Sequence, residues 1–210
     1  MLPTYSTKGM IMKLLAMIAL IFTTLGSVSQ AKSLQTAIFA GGCFWCVESD
    51  FDHVDGVVET ISGYTGGTTA NATYKQVGRG GTGHYEAVKI TYDEDVVSYE
   101  ELLYVFWRTV DPTDAGGQFC DRGDSYRTAI FATSDAQAAA AEASKAALKG
   151  RLSGPIVTPI LAASDFWDAE GYHQNYYKTN KLKYKFYRSR CGRDARVAQL
   201  WGDEAVFANK

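Results

Sequence analysis

Leu34-Gln35-Thr36-Ala37-Ile38-Phe39-Ala40-Gly41-Gly42-Cys43-Phe44-Trp45-Cys46 contains a strand, a turn and the start of a helix. The apolar run from Leu34 to Ala40 has the length of a buried strand, and it stops at two glycines, which permit a sharp turn. A helix from Phe44 to about Asp52 follows, with Cys43 in its opening turn. A cysteine there sits near the positive end of the helix dipole and several unpaired backbone N–H groups, which favour thiolate over thiol. Cys43 is therefore the best-placed nucleophile. Cys46, three residues on, can close a reversible disulfide with it within one helical turn, so the spacing suggests redox exchange. A buried structural cysteine or an inert disulfide remains open on the spacing alone.

Working outward, Val57 to Gly63 and Glu86 to Tyr92 read as strands, separated by a Gly-rich loop from Thr65 to Gly83. Ser98-Tyr99-Glu100-Glu101 has the Ser-x-x-Glu spacing of a capping box, and Leu102, Leu103, Phe106 and Trp107 share a helical face, which predicts a helix from Tyr99 to Thr109. After a loop from Asp111-Pro112 to Gly123, Arg127 to Ala132 reads as a strand. Ser134 with Gln137 opens an alanine-rich helix ending at Gly150, and Val157 to Ala162 is a further strand. Beyond it Tyr, Lys, Arg and Gly dominate with little periodicity, and a long, mostly irregular tail is expected. Strands mixed with helices, with no repeat or low-complexity linker, imply a single α+β domain.

The chain has 210 residues, 46% hydrophobic and 21% charged, the composition of a soluble globular protein with a real core. A net charge of -2 gives no footprint for a polyanion, which argues against nucleic acid as a partner. Lys8 and Lys13 precede an apolar run from Leu14 to Leu25, followed by Ser27-Val28-Ser29-Gln30-Ala31. This is the layout of a signal peptide cleaved after Ala31. The run falls short of the roughly 20 apolar residues that span a bilayer, so no stable membrane insertion is expected after cleavage. Residues 1–31 are thus read as a signal peptide and 32–210 as the catalytic domain of an exported, periplasmic protein. Export places Cys43, Cys46, Cys120 and Cys191 where disulfides can form and persist.

Gly41-Gly42-Cys43-Phe44-Trp45-Cys46, then Gly63-Tyr64-Thr65-Gly66-Gly67, then Gly83-His84-Tyr85-Glu86-Ala87-Val88 closely resemble the A-type peptide methionine sulfoxide reductases in order and spacing. Asp121-Arg122-Gly123-Asp124-Ser125-Tyr126-Arg127 resembles that family's Asp-containing loop ending in a Tyr-Arg pair. It departs from the commoner loop in having Cys120 where Asn stands and Asp124-Ser125 where Thr-Gln stands. The likeness runs from about Leu34 to at least Tyr177. It implies a two-layer α/β sandwich with a ferredoxin-like core and a long irregular C-terminal segment wrapped around it.

The resemblance also implies roles. Cys43 would attack the sulfoxide sulfur, Phe44 and Trp45 would hold the S-methyl group, and Glu86 would protonate the oxygen, with Tyr64, Asp121 and Tyr126 completing the polar site. Attack by sulfur pushes charge onto oxygen, which must receive a hydrogen bond and then a proton. Desolvation among aromatic residues would keep Glu86 protonated near neutral pH. Read without the family, Glu86 beside Ala87-Val88-Lys89-Ile90 suits a solvated face equally well. His84, beside a Gly-rich loop, reads as a hydrogen-bonding prop rather than a base.

The family's cycle leaves Cys43 as a sulfenic acid that a second thiol must trap before further oxidation. Cys46 is the nearest resolver. Cys191 in the tail and Cys120 are alternatives, and a structural Cys120–Cys191 disulfide competes with both. The expected substrates are proteins or peptides carrying methionine-S-sulfoxide, and the electron donor is a thioredoxin-like protein or a dithiol. No metal or organic cofactor is implied. A simple thiol–disulfide oxidoreductase would want a cis-proline opposite the pair, for which only Pro155 or Pro159, late in the fold, could serve, and a four-cysteine zinc module would want a second Cys-x-x-Cys, whereas one exists.

Overall fold

The strand read from the opening stretch is β1 (Leu34–Gly41), and it leads through Gly42 and Cys43 into helix α1 (Phe44–Phe51). These elements come from a computed structural model that describes residues 33–207; the signal-peptide reading of residues 1–31 lies outside the described residues. Strand β2 (Val57–Thr65), a short helix α2 (Tyr74–Gly78) within the Gly-rich loop, strand β3 (Tyr85–Asp93) and helix α3 (Tyr99–Trp107) follow. Next come a small hairpin of β4 (Gly117–Gln118) and β5 (Asp121–Arg122), then β6 (Thr128–Ala132) and α4 (Asp135–Ala147). The last two strands, β7 (Ile160–Ala162) and β8 (Trp167–Asp168), lie at opposite edges of the main sheet.

That sheet has the order β7-β6-β1-β3-β2-β8, antiparallel except where β6 meets β7. Its centre, β6-β1-β3-β2 built from a β1-α1-β2-β3-α3-β6 succession, is the expected ferredoxin-like core. Alternation along the strands sorts the two faces. Ala37, Phe39, Val88, Ile90 and Ile130 join Phe51, Leu102 and Phe106 in the main core, whereas Ile38, Ala40, Ala87, Ala129 and Phe131 pack under Leu161 and Phe166. Helix α3 begins as its sequence requires: Ser98 Oγ accepts the Glu101 N–H at 3.2 Å, and Glu101 Oε2 accepts the Ser98 N–H at 2.8 Å.

The tail differs from expectation. Only the stretch up to about residue 175 is irregular apart from β7 and β8; beyond it lie α5 (Tyr176–Thr179), α6 (Lys181–Cys191) and α7 (Arg193–Trp201). Helix α6 shows no apolar period because its inner face is polar, and Tyr184 is its one fully buried residue. Two acidic residues of α1 and Asp52 at its C-cap fasten this arm. Glu48 accepts the Asn175 N–H at 2.9 Å, Asp50 takes Arg188 at 2.7 Å, and Asp52 takes the Tyr177 hydroxyl at 2.6 Å and the Lys178 ammonium at 2.7 Å. At the α6–α7 junction Gly192 has φ +73°, a left-handed conformation that glycine adopts without strain.

Cys120 and Cys191 form a disulfide that closes a span of 71 residues. Chain-entropy arguments value a loop of that length at about 4 kcal/mol. A Cys120→Ser/Cys191→Ser double variant is accordingly expected to lose up to about that much unfolding free energy in urea titrations, compared with the oxidised parent. Equal denaturation midpoints would show that the bond does not stabilise the arm.

Candidate active site

Gly42, at φ +83°, turns the chain between β1 and α1, and a side chain there would meet Gln118 Cβ at 2.5 Å. The turn leaves Cys43 at the N-cap of α1, buried, with Cys46 one turn further on. The first free N–H of the helix, that of Phe44, does not face the sulfur; it donates to Glu86 Oε2 at 3.0 Å. Glu86 stands on the helix-packed face of β3, in step with Val88 and Ile90, so the solvated-face alternative does not hold. Directly across the ladder is Tyr64 on β2.

Burial dominates the electrostatics. It pushes the Glu86 carboxyl up to about 8 against the pull of the Phe44 N–H, and the charge of Asp121 adds to the rise. Burial also raises the Cys43 thiol well above an ordinary cysteine, with Cys46 and Glu86 acting in the same direction and Tyr187 opposing. Cys46 moves the other way, because the Cys43 thiol hydrogen-bonds to it and Arg193 and Arg188 lie nearby, while burial and Asp50 resist. The helix terminus thus does not make Cys43 a resting thiolate, contrary to expectation. Its field is spent on Glu86, and the pair shares its charge toward Cys46.

The expected residues converge. Phe44 lies between Tyr64 (ring centroids 5.9 Å apart) and His173 (5.0 Å), and Trp45 stacks on Tyr176 at 3.8 Å. The Tyr64 hydroxyl donates to Glu170 at 2.9 Å, and the Tyr126 hydroxyl bonds to Tyr74. Asp121 is held by the Tyr187 hydroxyl, and its Oδ2 lies 3.6 Å from Cys191 Sγ. Cys120 is exposed and committed with Cys191 to the disulfide, which leaves Cys43 and Cys46 as the free thiols. His84 is consumed as a prop: Nδ1 accepts the Gly67 N–H at 3.1 Å and Nε2 lies 2.8 Å from Thr69 O.

Three site residues escaped the sequence reading. Tyr187 of α6 faces both Cys43 and Asp121 and meets Trp45 edge-on with centroids 5.8 Å apart. His173 accepts the Trp45 indole N–H on Nδ1 at 3.1 Å, which places its own proton on Nε2. Glu170 holds Tyr64 and also accepts the Tyr74 N–H at 3.0 Å. Their only signal was an aromatic-rich tail interrupted by Glu170 and His173.

Comparison with known proteins agrees with this geometry. The family model described as peptide methionine sulfoxide reductase matches residues 35–205. Peptide methionine sulfoxide reductase MsrA 2 of Rhizobium meliloti is 55% identical over 177 residues, covering 84% of this chain and 88% of that protein. MsrA of Bacillus subtilis is 52% identical over 177 residues, covering 83% of this chain and 99% of its own length. The crystal structure of reduced Mxr1 from Saccharomyces cerevisiae superposes with a TM-score of 0.68 at 31% identity, covering 75% of this chain and 91% of that one. A thiol pair, a buried acid and an aromatic wall, in a fold and sequence shared over most of the chain, place this protein among the oxidoreductases of the peptide methionine sulfoxide reductase family.

Proposed function

We propose that this pocket reduces the S epimer of methionine sulfoxide in oxidised proteins and peptides, with Cys43 as nucleophile, Glu86 as acid and Cys46 as resolver. The observation that carries the assignment is the Phe44 N–H bond to Glu86, which holds the carboxyl at the residue next to the attacking sulfur, while burial raises it to about 8 and so favours its protonated form. The Cys43 sulfur attacks the sulfoxide sulfur while Glu86 gives its proton to the oxygen. Oxygen passes to Cys43, methionine departs, and the thiol's own proton restores Glu86, so Cys43 thiol plus sulfoxide becomes Cys43 sulfenic acid plus thioether. Phe44 and Trp45 supply the apolar surface for the S-methyl group. Tyr64 and Tyr126, both held protonated by burial, line the pocket with hydroxyls oriented by Glu170 and Tyr74, and Asp121 orients Tyr187.

Cys46 then closes a disulfide with Cys43, and a thioredoxin-like protein or small dithiol reopens it. The spacing of the pair and the engagement of Cys191 with Cys120 support this choice of resolver. Export is part of the reading: the basic-apolar-small N-terminus supports it, and the Cys120–Cys191 bond suits an oxidising compartment. N-terminal sequencing of protein from a periplasmic extract tests that point, a start at Lys32 being the expected result.

The enzymatic test incubates the purified mature protein with dithiothreitol and a methionine-S-sulfoxide peptide and follows methionine formation; no turnover sinks the reading. Cys46→Ser is expected to abolish thioredoxin-supported turnover while sparing one stoichiometric reduction per molecule. If Cys191→Ser has that phenotype instead, the tail cysteine resolves.

A further inference from the structure

Arg193 is 1% exposed, yet among the described residues it forms no ion pair. Its neighbours on the same arm do: Arg188 meets Asp50 and Asp194, and Arg196 meets Asp111. Among the described residues the Arg193 guanidinium donates to carbonyl oxygens, from Nη1 to Thr109 at 2.9 Å and from Nη2 to Gly41 at 2.7 Å, and lies 4.5 Å from the centre of the Phe119 ring. A side chain on Gly42 would begin 3.3 Å from Nη2, so the charge sits against the turn that carries Cys43. Burying a cation with no carboxylate in contact is costly, and a negative charge formed beside it would offset that cost.

We propose that Arg193 is the positioning residue of the resolving step, its guanidinium being the counter-charge that lets the buried Cys46 sulfur attack oxidised Cys43 as a thiolate. The inference rests on Cys46 as resolver. Cys46 is 1% exposed, and its N–H donates to Cys43 O at 3.1 Å, in the turn whose Gly41 carbonyl Arg193 holds. The groups facing it are Cys43, Asp50 on α1, Tyr184, Tyr187 and Arg188 on α6, Glu86 on β3 and Arg193 itself; the two arginines are the cations in this set. Arg188 is already gripped by two carboxylates, whereas Asp50 and Asp121 act on Arg193 only through space, so no carboxylate is in contact with it among the described residues. In the step, the Cys46 thiolate attacks the sulfenic sulfur of Cys43, the S–S bond forms and the S–O bond breaks. The departing oxygen, which already carries one hydrogen, takes a second proton from Glu86 and leaves as water.

The test compares Arg193→Met and Arg193→Lys with the parent. Each is mixed with one equivalent of a methionine-S-sulfoxide peptide without reductant, and disulfide closure is followed by acid quench and thiol counting across pH. A rise of one unit in the Cys46 pKa cuts the thiolate about tenfold but makes that thiolate about threefold more nucleophilic. Arg193→Met should therefore close about threefold more slowly per unit of rise at neutral pH, and about threefold faster than the parent at strongly alkaline pH. Arg193→Lys should follow the parent at both ends. Such a crossing is not produced by a merely structural tie. A slowing that is uniform in pH, or none, overturns the proposal.

If Arg193→Met does not fold, Arg193→Lys carries the test, since it keeps the charge but not the double grip. A displaced pH profile in it, or its failure to fold as well, overturns the proposal. The iodoacetamide reaction of Cys46 in the substrate-free protein reads Arg193 separately and should shift to higher pH in Arg193→Met. An unshifted profile overturns the proposal alone, whereas a Cys43 bond to another cysteine, found by peptide mapping, overturns the choice of resolver and the proposal with it.

Discussion

Cys43→Ser is expected to fold normally and to form no methionine, a loss of at least about 10⁴-fold, the scale on which removal of a nucleophile acts. Serine keeps the shape of cysteine in a smaller side chain, and the position is a helix N-cap, where serine is a favoured residue, so stability should be largely kept. Chemistry should not be kept, because a hydroxyl cannot receive the sulfoxide oxygen and become the analogue of a sulfenic acid. Cys46 cannot substitute, since it lies one turn further into the core and its N–H points back to Cys43 O. The measurement is single-turnover methionine formation with the S-sulfoxide peptide. Activity above a percent or so of the parent would place the nucleophile elsewhere even if the reaction class stands.

Glu86→Gln is expected to lower the rate by about 10²- to 10³-fold, the usual worth of a positioned acid. Glutamine can still accept the Phe44 N–H and keep the turn, so the loss isolates the proton. The pH dependence sharpens the test. The working form of Glu86 is protonated, and its carboxyl is raised to about 8, so parent activity should be held at neutral pH and fall as pH rises through about 8. That alkaline limb should vanish in the variant.

Stability moves oppositely. Between the ordinary carboxyl value near 4.3 and about 8 the folded protein binds a proton that the unfolded chain has released, so the parent loses stability as pH rises across that window. Glu86→Gln should therefore be the more stable protein at pH 8, by an amount on the order of a few kcal/mol, with the gap closing toward pH 4. An alkaline limb that survives in Glu86→Gln would assign it to another group and remove Glu86 from the role of acid.

The site was legible in sequence where its residues are tied to local structure. Gly41-Gly42 ends a strand and starts a helix, which places Cys43 at the N-cap whatever the rest of the chain does. The alternation of Glu86 with Val88 and Ile90 already put the three on one face, but whether that face met water or a helix depended on α1 lying across it. The thiolate reading of Cys43 followed from helix geometry, whereas burial, with Cys46 and Glu86 acting in the same direction, raises the thiol, and the Phe44 N–H goes to Glu86, 42 residues away. Tyr187, His173 and Arg193 left little trace, since α6 turns a polar face inward and so lacks the periodicity that announces a buried helix.

By itself, then, the sequence determined the strand-turn-helix unit, the mixture of strands and helices in one domain and the capping of α3, while the ferredoxin-like core and the place of Glu86 beside Cys43 were implied by the family resemblance. The first three are properties of neighbouring residues and short periods, which backbone sterics and the burial of apolar side chains decide locally. Tertiary structure alone decided which cysteines are joined, where Glu86 finds its hydrogen bond, and that the arm brings Tyr187 to Asp121 and Arg193 to Gly41, contacts separated by 66 and 152 residues. Such pairings carry no local signature. They also join Glu48 and Asp50 of α1 and Asp52 at its end to Asn175, Arg188 and Lys178, residues more than 120 positions away.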